Sequence, residues 1–99
     1  MASIIRGTTP TLKYTFNTVD VEDITTAYLS IKGATTLEKT LSEAIVGENY
    51  LAWTLTQAET LAFGNRISVM VNWLLDDGTR GASKKKQIII ESNYKDVVI

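Results

Sequence analysis

The chain has 99 residues, with no His, no Cys and one Pro, and its 10 Lys and Arg against 11 Asp and Glu give a formal net charge of −1. This length suits one domain with one modest core, and the lack of His and Cys excludes catalytic triads, thiolate nucleophiles, disulfides and the common zinc sites. The balanced charge offers no general attraction for nucleic acid or an anionic membrane. We therefore expect a protein that is not an enzyme and that binds no cofactor or metal.

The composition favours strands over helices. Ile, Val and Thr together supply 31 of the 99 residues, and β-branched side chains lose rotamer freedom in helices but pack well on a pleated sheet. No stretch has 18 uncharged apolar residues, and the first residues are not followed by the apolar segment of a signal peptide. We expect an all-β chain that is intracellular as synthesised.

Two alternating segments open the chain. Ile4 and Ile5 form an apolar start that ends at the breaker cluster of residues 7–10, whose Pro cannot donate to a strand ladder. Residues 11–16 then alternate apolar and polar side chains with period two, and residues 24–32 do so again after an acidic loop. Each of these two segments predicts a strand with one buried face.

The middle of the chain has a weak pattern followed by a strong one. Residues 35–46 alternate only briefly, which predicts either two short strands or one broken edge strand. Residues 50–55 place Leu51, Trp53 and Leu55 on one face. This regular alternation predicts a core strand.

One helical turn interrupts the strands. Thr56 and Glu59 have the spacing of a capping box, in which each side chain accepts from the backbone N–H of the other residue. Gly64 suits the left-handed C-cap that often ends a helix. A short helix is therefore predicted near residues 56–63.

A hairpin follows the helical turn. Residues 66–75 alternate strictly, and Asp77-Gly78 predicts a tight turn into a second arm over residues 79–90. Six to eight short strands in all, spaced at roughly 8 to 12 residues, are typical of a sandwich. We predict an all-β, immunoglobulin-like antiparallel β-sandwich of about seven strands, with a small barrel as the main alternative.

Three segments resemble a known family. Residues 6–12 (Arg-Gly-Thr-Thr-Pro-Thr-Leu), 23–25 (Asp-Ile-Thr) and 55–61 (Leu-Thr-Gln-Ala-Glu-Thr-Leu) occur in order along the chain. They resemble the small immunoglobulin-like domains of bacteriophage and prophage tail modules, in particular the N-terminal domain of the baseplate upper protein of phages of Gram-positive bacteria. Many such domains have Gly-x-Tyr after the helical turn, which this chain lacks.

The resemblance implies a viral structural protein that acts through protein–protein contacts. The partners it implies are protein subunits of a phage-like assembly, with a homo-oligomer as one form, and neither nucleic acid nor a membrane. The location it implies is the bacterial cytoplasm during synthesis and the virion, or a prophage-derived particle, after assembly.

The alternative function is an immunoglobulin-like adhesion or carbohydrate-binding module. It requires Trp53, Trp73 or Tyr28 to be exposed in a concave patch. Trp53 and Trp73 share the parity of core side chains, so we expect both to be buried, where large aromatic side chains dominate burial energetics.

Charged candidates have structural explanations. The carboxylate pairs Glu22-Asp23 and Asp76-Asp77 fall in predicted turns, where Asp favours local hydrogen bonds. The acidic loop at residues 17–23 lacks the glycine and the distal Glu of a calcium loop. The lysine run at residues 84–86 is expected to block edge-to-edge pairing of the sheet rather than to bind an anionic partner.

The last residues are unusually apolar. We assign residues 1–92 to the sandwich domain and residues 93–99 to a C-terminal tail. Chain ends are usually polar, so this tail either packs on its own sandwich or adds a strand to a neighbour's sheet. The candidate assembly residues are Tyr94, Val97, Val98 and Ile99.

Overall fold

The computed structural model describes residues 2–99, which form nine strands, one α-helix and two single-turn 3-10 helices. The strands are β1 (Ala2–Ile5), β2 (Thr11–Thr15), β3 (Ile24–Lys32), β4 (Thr36–Thr40), β5 (Ile45–Val46), β6 (Tyr50–Thr54), β7 (Arg66–Leu75), β8 (Arg80–Ala82) and β9 (Lys86–Glu91). The helix α1 is Gln57–Leu61, and the 3-10 turns are Val21–Asp23 and Leu41–Glu43. The chain is all-β, and its helix lies within the predicted range.

The strands form two sheets. The large sheet has the order β1-β9-β7-β3-β4 with β8 beside β7, and the small sheet has the order β2-β6-β5. No strand pairing joins the two sheets within residues 2–99, so the fold is a sandwich and the barrel alternative is wrong. The order β9-β7-β3-β4 over β2-β6-β5 corresponds to the G-F-C-C′ and B-E-D strands of immunoglobulin-like sandwiches.

One strand pair corrects the antiparallel prediction. β1 runs parallel to β9, with Ala2 opposite Ile88 and Ile5 opposite Glu91. After β1 the chain crosses to the other sheet, and Gly7 adopts the positive φ of 82° within this crossover. The breaker cluster therefore marks a change of sheet.

The weak middle segment forms two short strands. The 3-10 turn Leu41–Glu43 separates β4 from β5, and a capping box joins Thr40 to Glu43 at its start. β5 has only two residues, and both are exposed. The small sheet therefore ends in a very short edge strand on this side.

The core lies between the sheets, and Trp53 is its largest fully buried side chain. Trp53 is 1% exposed, and its Nε1 donates to the carbonyl oxygen of Thr40 at 2.9 Å. Inward side chains of the large sheet follow the predicted period of two. Those of β3 and β7 include Ala27, Leu29, Ile31, Ile67, Val69 and Val71.

The predicted second arm of the hairpin, residues 79–90, is divided into β8 and β9. Between them residues 83–85 oppose only Met70 and Val71 of β7, so the arm carries a β-bulge. Ser83 stabilises the bulge, because its N–H donates to Val71 O and its Oγ accepts from Val71 N–H, both at 2.8 Å. Two of the three lysines in the run therefore lie in a bulge, and Lys86 begins β9.

A capping box fixes α1 at the corner between β6 and β7. The N–H of Glu59 donates to Thr56 Oγ1 at 3.2 Å, and the N–H of Thr56 donates to Glu59 Oε1 at 2.8 Å. Thr60 is fully buried, and its hydroxyl donates to the carbonyl oxygen of Thr8 at 2.8 Å. This bond ties the corner to the crossover between β1 and β2.

We expect Trp53→Ala to lower the free energy of unfolding by about 3 to 5 kcal/mol, because it empties the centre of the core. Urea denaturation followed by circular dichroism measures the loss. Tyr94→Ala is the control, since Tyr94 is fully exposed, and it should change the free energy by less than about 0.5 kcal/mol. Equal losses in the two variants would contradict the role of Trp53 in the core.

Candidate assembly interface

The apolar side chains of the tail lie at the surface. Residues 92–99 form no helix or strand. Tyr94 is 109% exposed, Val97 54%, Val98 60% and Ile99 84%. Each of the four is therefore more than half exposed, and apolar exposure of this kind marks a candidate interaction surface.

Hydrogen bonds hold the tail backbone near α1. The side-chain amide of Gln57 accepts from the N–H of Ile99 at 2.8 Å and donates to its carbonyl oxygen at 3.2 Å. Closer to the sandwich, Asn93 Nδ2 donates to the carbonyl oxygen of Arg6 at 2.9 Å. A few polar contacts therefore anchor the tail while its apolar side chains remain exposed.

A groove of about 590 Å³ opens between β2 of the small sheet and the β8–β9 side of the large sheet. β1 pairs with β9 only from Ile88 to Glu91, so the groove lies where the large sheet has no further strand. Its apolar lining comes from both sheets and consists of Leu12, Tyr14, Leu29, Trp53, Val69, Val71, Ala82 and Ile88.

Lysines form the rim of the groove. Lys13 of β2 lines it together with Lys84 and Lys86, whereas Lys85 does not. None of the three lining lysines has a carboxylate within salt-bridge distance in residues 2–99, where both ion pairs involve Lys39. The groove therefore combines an apolar floor with positive charge that has no partner in the described chain.

Trp73 lies less deeply than its parity predicts. Its ring is half-buried, with its centroid 5.5 Å from that of Tyr14 and 4.9 Å from that of Phe16. Gly81 on β8 makes room for the indole, since a Cβ there would lie 2.4 Å from it. Of the two tryptophans, only Trp53 is buried as predicted.

Tyr28 lies on the outer face of the large sheet. It is 40% exposed and lines a shallow depression of about 200 Å³. The other lining residues are Thr26, Asn72, Trp73, Leu74 and Arg80. The alternative function requires Trp53, Trp73 or Tyr28 to be exposed in a concave patch, and Tyr28 is the one that is exposed there.

The two carboxylate pairs meet at the end of β7 away from α1. The N–H of Asp76 donates to the carbonyl oxygen of Asp23 at 2.8 Å. The charge of Asp76 is the main cause that raises the pKa of Asp23, and desolvation and the neighbouring carboxylates act in the same direction. Neither pair lines the groove or the depression, and residues 2–99 place no three such groups where they could hold a metal ion.

Comparison with known proteins identifies no relative. No protein-family model, curated protein or solved structure matches this chain. No helix in residues 2–99 has the length and apolar character needed to cross a membrane. The groove, the tail and the depression around Tyr28 are therefore the features on which a functional proposal can rest.

The period-two alternation of the sequence does not predict the groove. It depends on the residue at which β1 begins to cover β9 and on the bulge at residues 83–85. Ser83 and the lysine run interrupt the apolar alternation of the hairpin arm. That interruption was the one local sign that the arm is not a single regular strand.

Glu59 centres a small charge cluster beside the anchored tail. Its Oε2 lies 3.0 Å from Lys39 Nζ, which is also 3.9 Å from Glu43. Burial raises the pKa of Glu59, but hydrogen bonds from Thr56 and Lys39 outweigh it, so this pKa lies below its ordinary value of 4.5. The cluster joins β4 to the helix corner.

The pKa of Glu59 is lower in the folded chain than in the unfolded chain, so its ionised form stabilises the fold at pH values above the ordinary pKa. This stabilisation is lost as the pH falls through the pKa of the folded chain. We expect Glu59→Gln to make the free energy of unfolding fall less steeply as the pH drops below 4.5. The Gln side chain can still accept a hydrogen bond from Thr56 N–H. Thermal melts between neutral and strongly acidic pH measure this slope. Glu48→Gln, in an exposed turn, is the matched control for the loss of one carboxylate, and an unchanged slope in Glu59→Gln would contradict the role of Glu59.

Proposed function

We propose that this chain is a non-enzymatic structural module of a phage or prophage tail or baseplate-like particle, acting through protein–protein contacts. The observation that carries the proposal is the exposed tail, in which four large apolar side chains are each more than half exposed. Contact with another subunit would remove this surface from water, which is the main favourable term in protein association. The site of synthesis in this proposal is the bacterial cytoplasm, and the site of action is the particle.

The family resemblance supports the phage part of the proposal. Residues 55–61, its most specific segment, form the α1 corner, and residues 6–12 include the crossover to which Thr60 bonds. Both segments contact the tail, because Gln57 binds Ile99 and the carbonyl oxygen of Arg6 accepts from Asn93. Two of the three family-like segments thus contact the tail.

A sandwich suits this role because it is a rigid body with fixed strand edges. Its two sheets pack around one core, whereas the tail is attached by a few polar contacts. A rigid body with an attached apolar segment can make repeated contacts in a symmetric particle.

The proposal predicts that the chain is a component of phage-like particles released by its source bacterium after prophage induction. Mass spectrometry of purified particles, with immunogold electron microscopy, measures its presence. Val97→Ser with Val98→Ser should reduce incorporation strongly. The control is Ile45→Ser with Val46→Ser, because these two side chains on β5 are equally exposed at 52% and 58%. Absence of the wild-type chain from the particles would overturn the proposal.

A second candidate function is carbohydrate binding, which the depression around Tyr28 favours. The exposed ring of Tyr28 offers an aromatic face, and polar groups of Thr26, Asn72 and Arg80 surround it. Arg80 also donates to Asn72 Oδ1 at 3.3 Å. An aromatic face with a few placed polar groups is the usual chemistry of a site that binds a polar small molecule such as a sugar.

If the second candidate is right, the purified wild-type chain should bind a member of a glycan array. Tyr28→Ala should abolish this binding, whereas Tyr94→Ala on the tail should leave it unchanged. Fluorescence titration with the selected glycan measures the affinity of each variant. Lack of binding by the wild type, or equal binding by both variants, would contradict a sugar site at Tyr28.

A further inference from the structure

β2 is an edge strand whose outer backbone groups have no strand to bond within residues 2–99. The N–H of Phe16 donates to the carbonyl oxygen of Asn49, and antiparallel pairing then directs every second residue of β2 towards β6. β6 is the only strand of the described chain that pairs with β2. The N–H and C=O groups that face away from β6 belong to Thr11, Lys13 and Thr15, and no turn or loop of residues 2–99 bonds to them.

The vacant position beside β2 is the place of a strand in the usual sandwich. In immunoglobulin-like domains the sheet that contains strands B, E and D also has strand A beside strand B. Here β1 pairs with β9 of the large sheet instead, and it covers β9 only from Ile88 onward. No strand of the described chain therefore occupies the groove, which has room for one more extended segment.

The groove has a positive lining, although the whole chain has a formal net charge of −1. Lys13, Lys84 and Lys86 line it, and its described lining includes no Asp or Glu. Lys86 has the parity of the buried Ile88, so it lies on the inner face of the large sheet, across from β2. The Nζ of Lys13 lies 4.2 Å from the ring centroid of Tyr50 on the neighbouring strand. Lysines therefore stand on both sides of the groove.

We propose that this groove binds an extended, acidic segment of a partner protein as a strand added to β2. This inference deepens the proposed function and rests on it, because it names the chemistry of a partner at a surface that residues 92–99 do not line. The partner's backbone bonds to the outward groups of β2, and one row of its side chains fills the apolar floor. The other row carries Asp or Glu and meets the lysines, whose ammonium groups stay at the wet rim.

An extended peptide matches the groove better than a small amphipathic anion does. A fatty acid also offers an apolar chain and a negative charge, but it has no groups that can bond to a strand. The outward N–H and C=O groups of β2 form a row of donors and acceptors with the spacing of a strand, and such a row is a template for another chain. The lysines then favour acidic segments over basic ones.

The tail of the chain lacks the charge that the groove selects. Within residues 94–99 the side-chain charges of Lys95 and Asp96 cancel. In an extended tail Lys95 shares the face of Val97 and Ile99, so it would bring a further positive charge to the groove. Ile99 is also bonded through its backbone to Gln57. A partner segment with net negative charge therefore fits the groove better than the tail.

Synthetic peptides test the proposal on the full chain. The probe is a fluorescein-labelled peptide of about seven residues, enough to span β2, in which Glu alternates with Val, Leu or Tyr. Its control has Lys in place of each Glu. Fluorescence anisotropy measures the dissociation constants. We expect the tightest acidic peptide to bind at least about tenfold more tightly than its basic control, and equal affinities, or no binding by any acidic peptide, would overturn the proposal.

The lysines of the groove provide a second measurement with a matched control. Lys84→Glu with Lys86→Glu should weaken binding of the acidic peptide about tenfold, because attraction becomes repulsion. Lys85→Glu with Lys95→Glu changes the net charge equally at residues that do not line the groove. It should weaken binding less than about threefold, since salt screens exposed charges at a distance. Circular dichroism establishes that each variant is folded, and equal weakening by the two double variants would overturn the proposal.

A third measurement tests the addition of a strand. Lys13→Pro removes the outward N–H of Lys13, a change that edge strands tolerate, whereas Lys13→Gln removes only the charge. We expect Lys13→Pro to bind the acidic peptide about fivefold more weakly than Lys13→Gln. N-methylation of every Glu, or of every apolar residue, makes the same test on the peptide, and one of these two peptides should lose binding because one row of N–H groups faces β2. Full binding by both methylated peptides would overturn strand addition.

Hydrogen exchange locates the bound peptide on the chain. The outward amides of Thr11, Lys13 and Thr15 should exchange at least about tenfold more slowly when the acidic peptide is saturating. The amides of β4, at the opposite edge of the large sheet, are the control and should not change. Protection at β4 without protection at β2 would overturn the groove as the binding site.

Dodecanoate tests the small-anion alternative. It should not protect the β2 amides, because it has no backbone groups to bond with them. Binding of dodecanoate that depends on Lys84 and Lys86, together with no binding of the acidic peptides, would assign the groove to an amphipathic anion and overturn the proposal.

The outcomes separate this inference from the proposed function. Particles that contain the chain, together with no binding of acidic peptides, would support the structural role and overturn the acidic segment as the occupant of the groove. Peptide binding along β2 by a chain that is absent from particles would support the groove and overturn the phage role.

Discussion

The burial of Trp53 is the interaction on which the small sheet depends. A sheet of three short strands has few large side chains to bury, so a single indole supplies much of the apolar area that holds it to the large sheet. Trp53 also bonds through Nε1 to Thr40 at the end of β4, and it lies directly opposite Leu12 of β2. The position of β2, and therefore the groove beside it, depends on this side chain together with the pairing of β2 to β6.

The residues of the helix corner, which a local sequence pattern predicts, make contacts with residues that are distant in the chain. Thr56 and Glu59 cap α1, and the same Glu59 carboxylate pairs with Lys39 on β4. One residue further, Thr60 bonds to the crossover, and Gln57 holds the tail. Five helical residues therefore connect both sheets, the crossover and the tail, so a change at this corner would move the candidate interface as well as the core.

The sequence predicts those parts of the fold that short-range patterns determine. Period-two alternation finds β2, β3, β6 and β7, and the capping box finds α1, because each depends on residues close together in the chain. The parallel partner of β1 and the bulge after β8 depend on contacts between distant residues. Trp73 shows the same limit, because the alternation predicts that its side chain points inward but does not predict that it lies at the margin of the core. The candidate tail residues were predictable from composition, whereas the groove was not.

Exposed strand edges are a hazard that sheet proteins must control. β5 limits the hazard by being two residues long, and β1 covers part of β9. The edge of β2 is protected in neither way, but β2 itself carries Lys13, and Lys84 and Lys86 lie across the groove. Positive charge deters pairing with apolar or basic strands, so these lysines protect the edge from association with another sheet. Protection of this edge therefore depends on charge rather than on a covering strand.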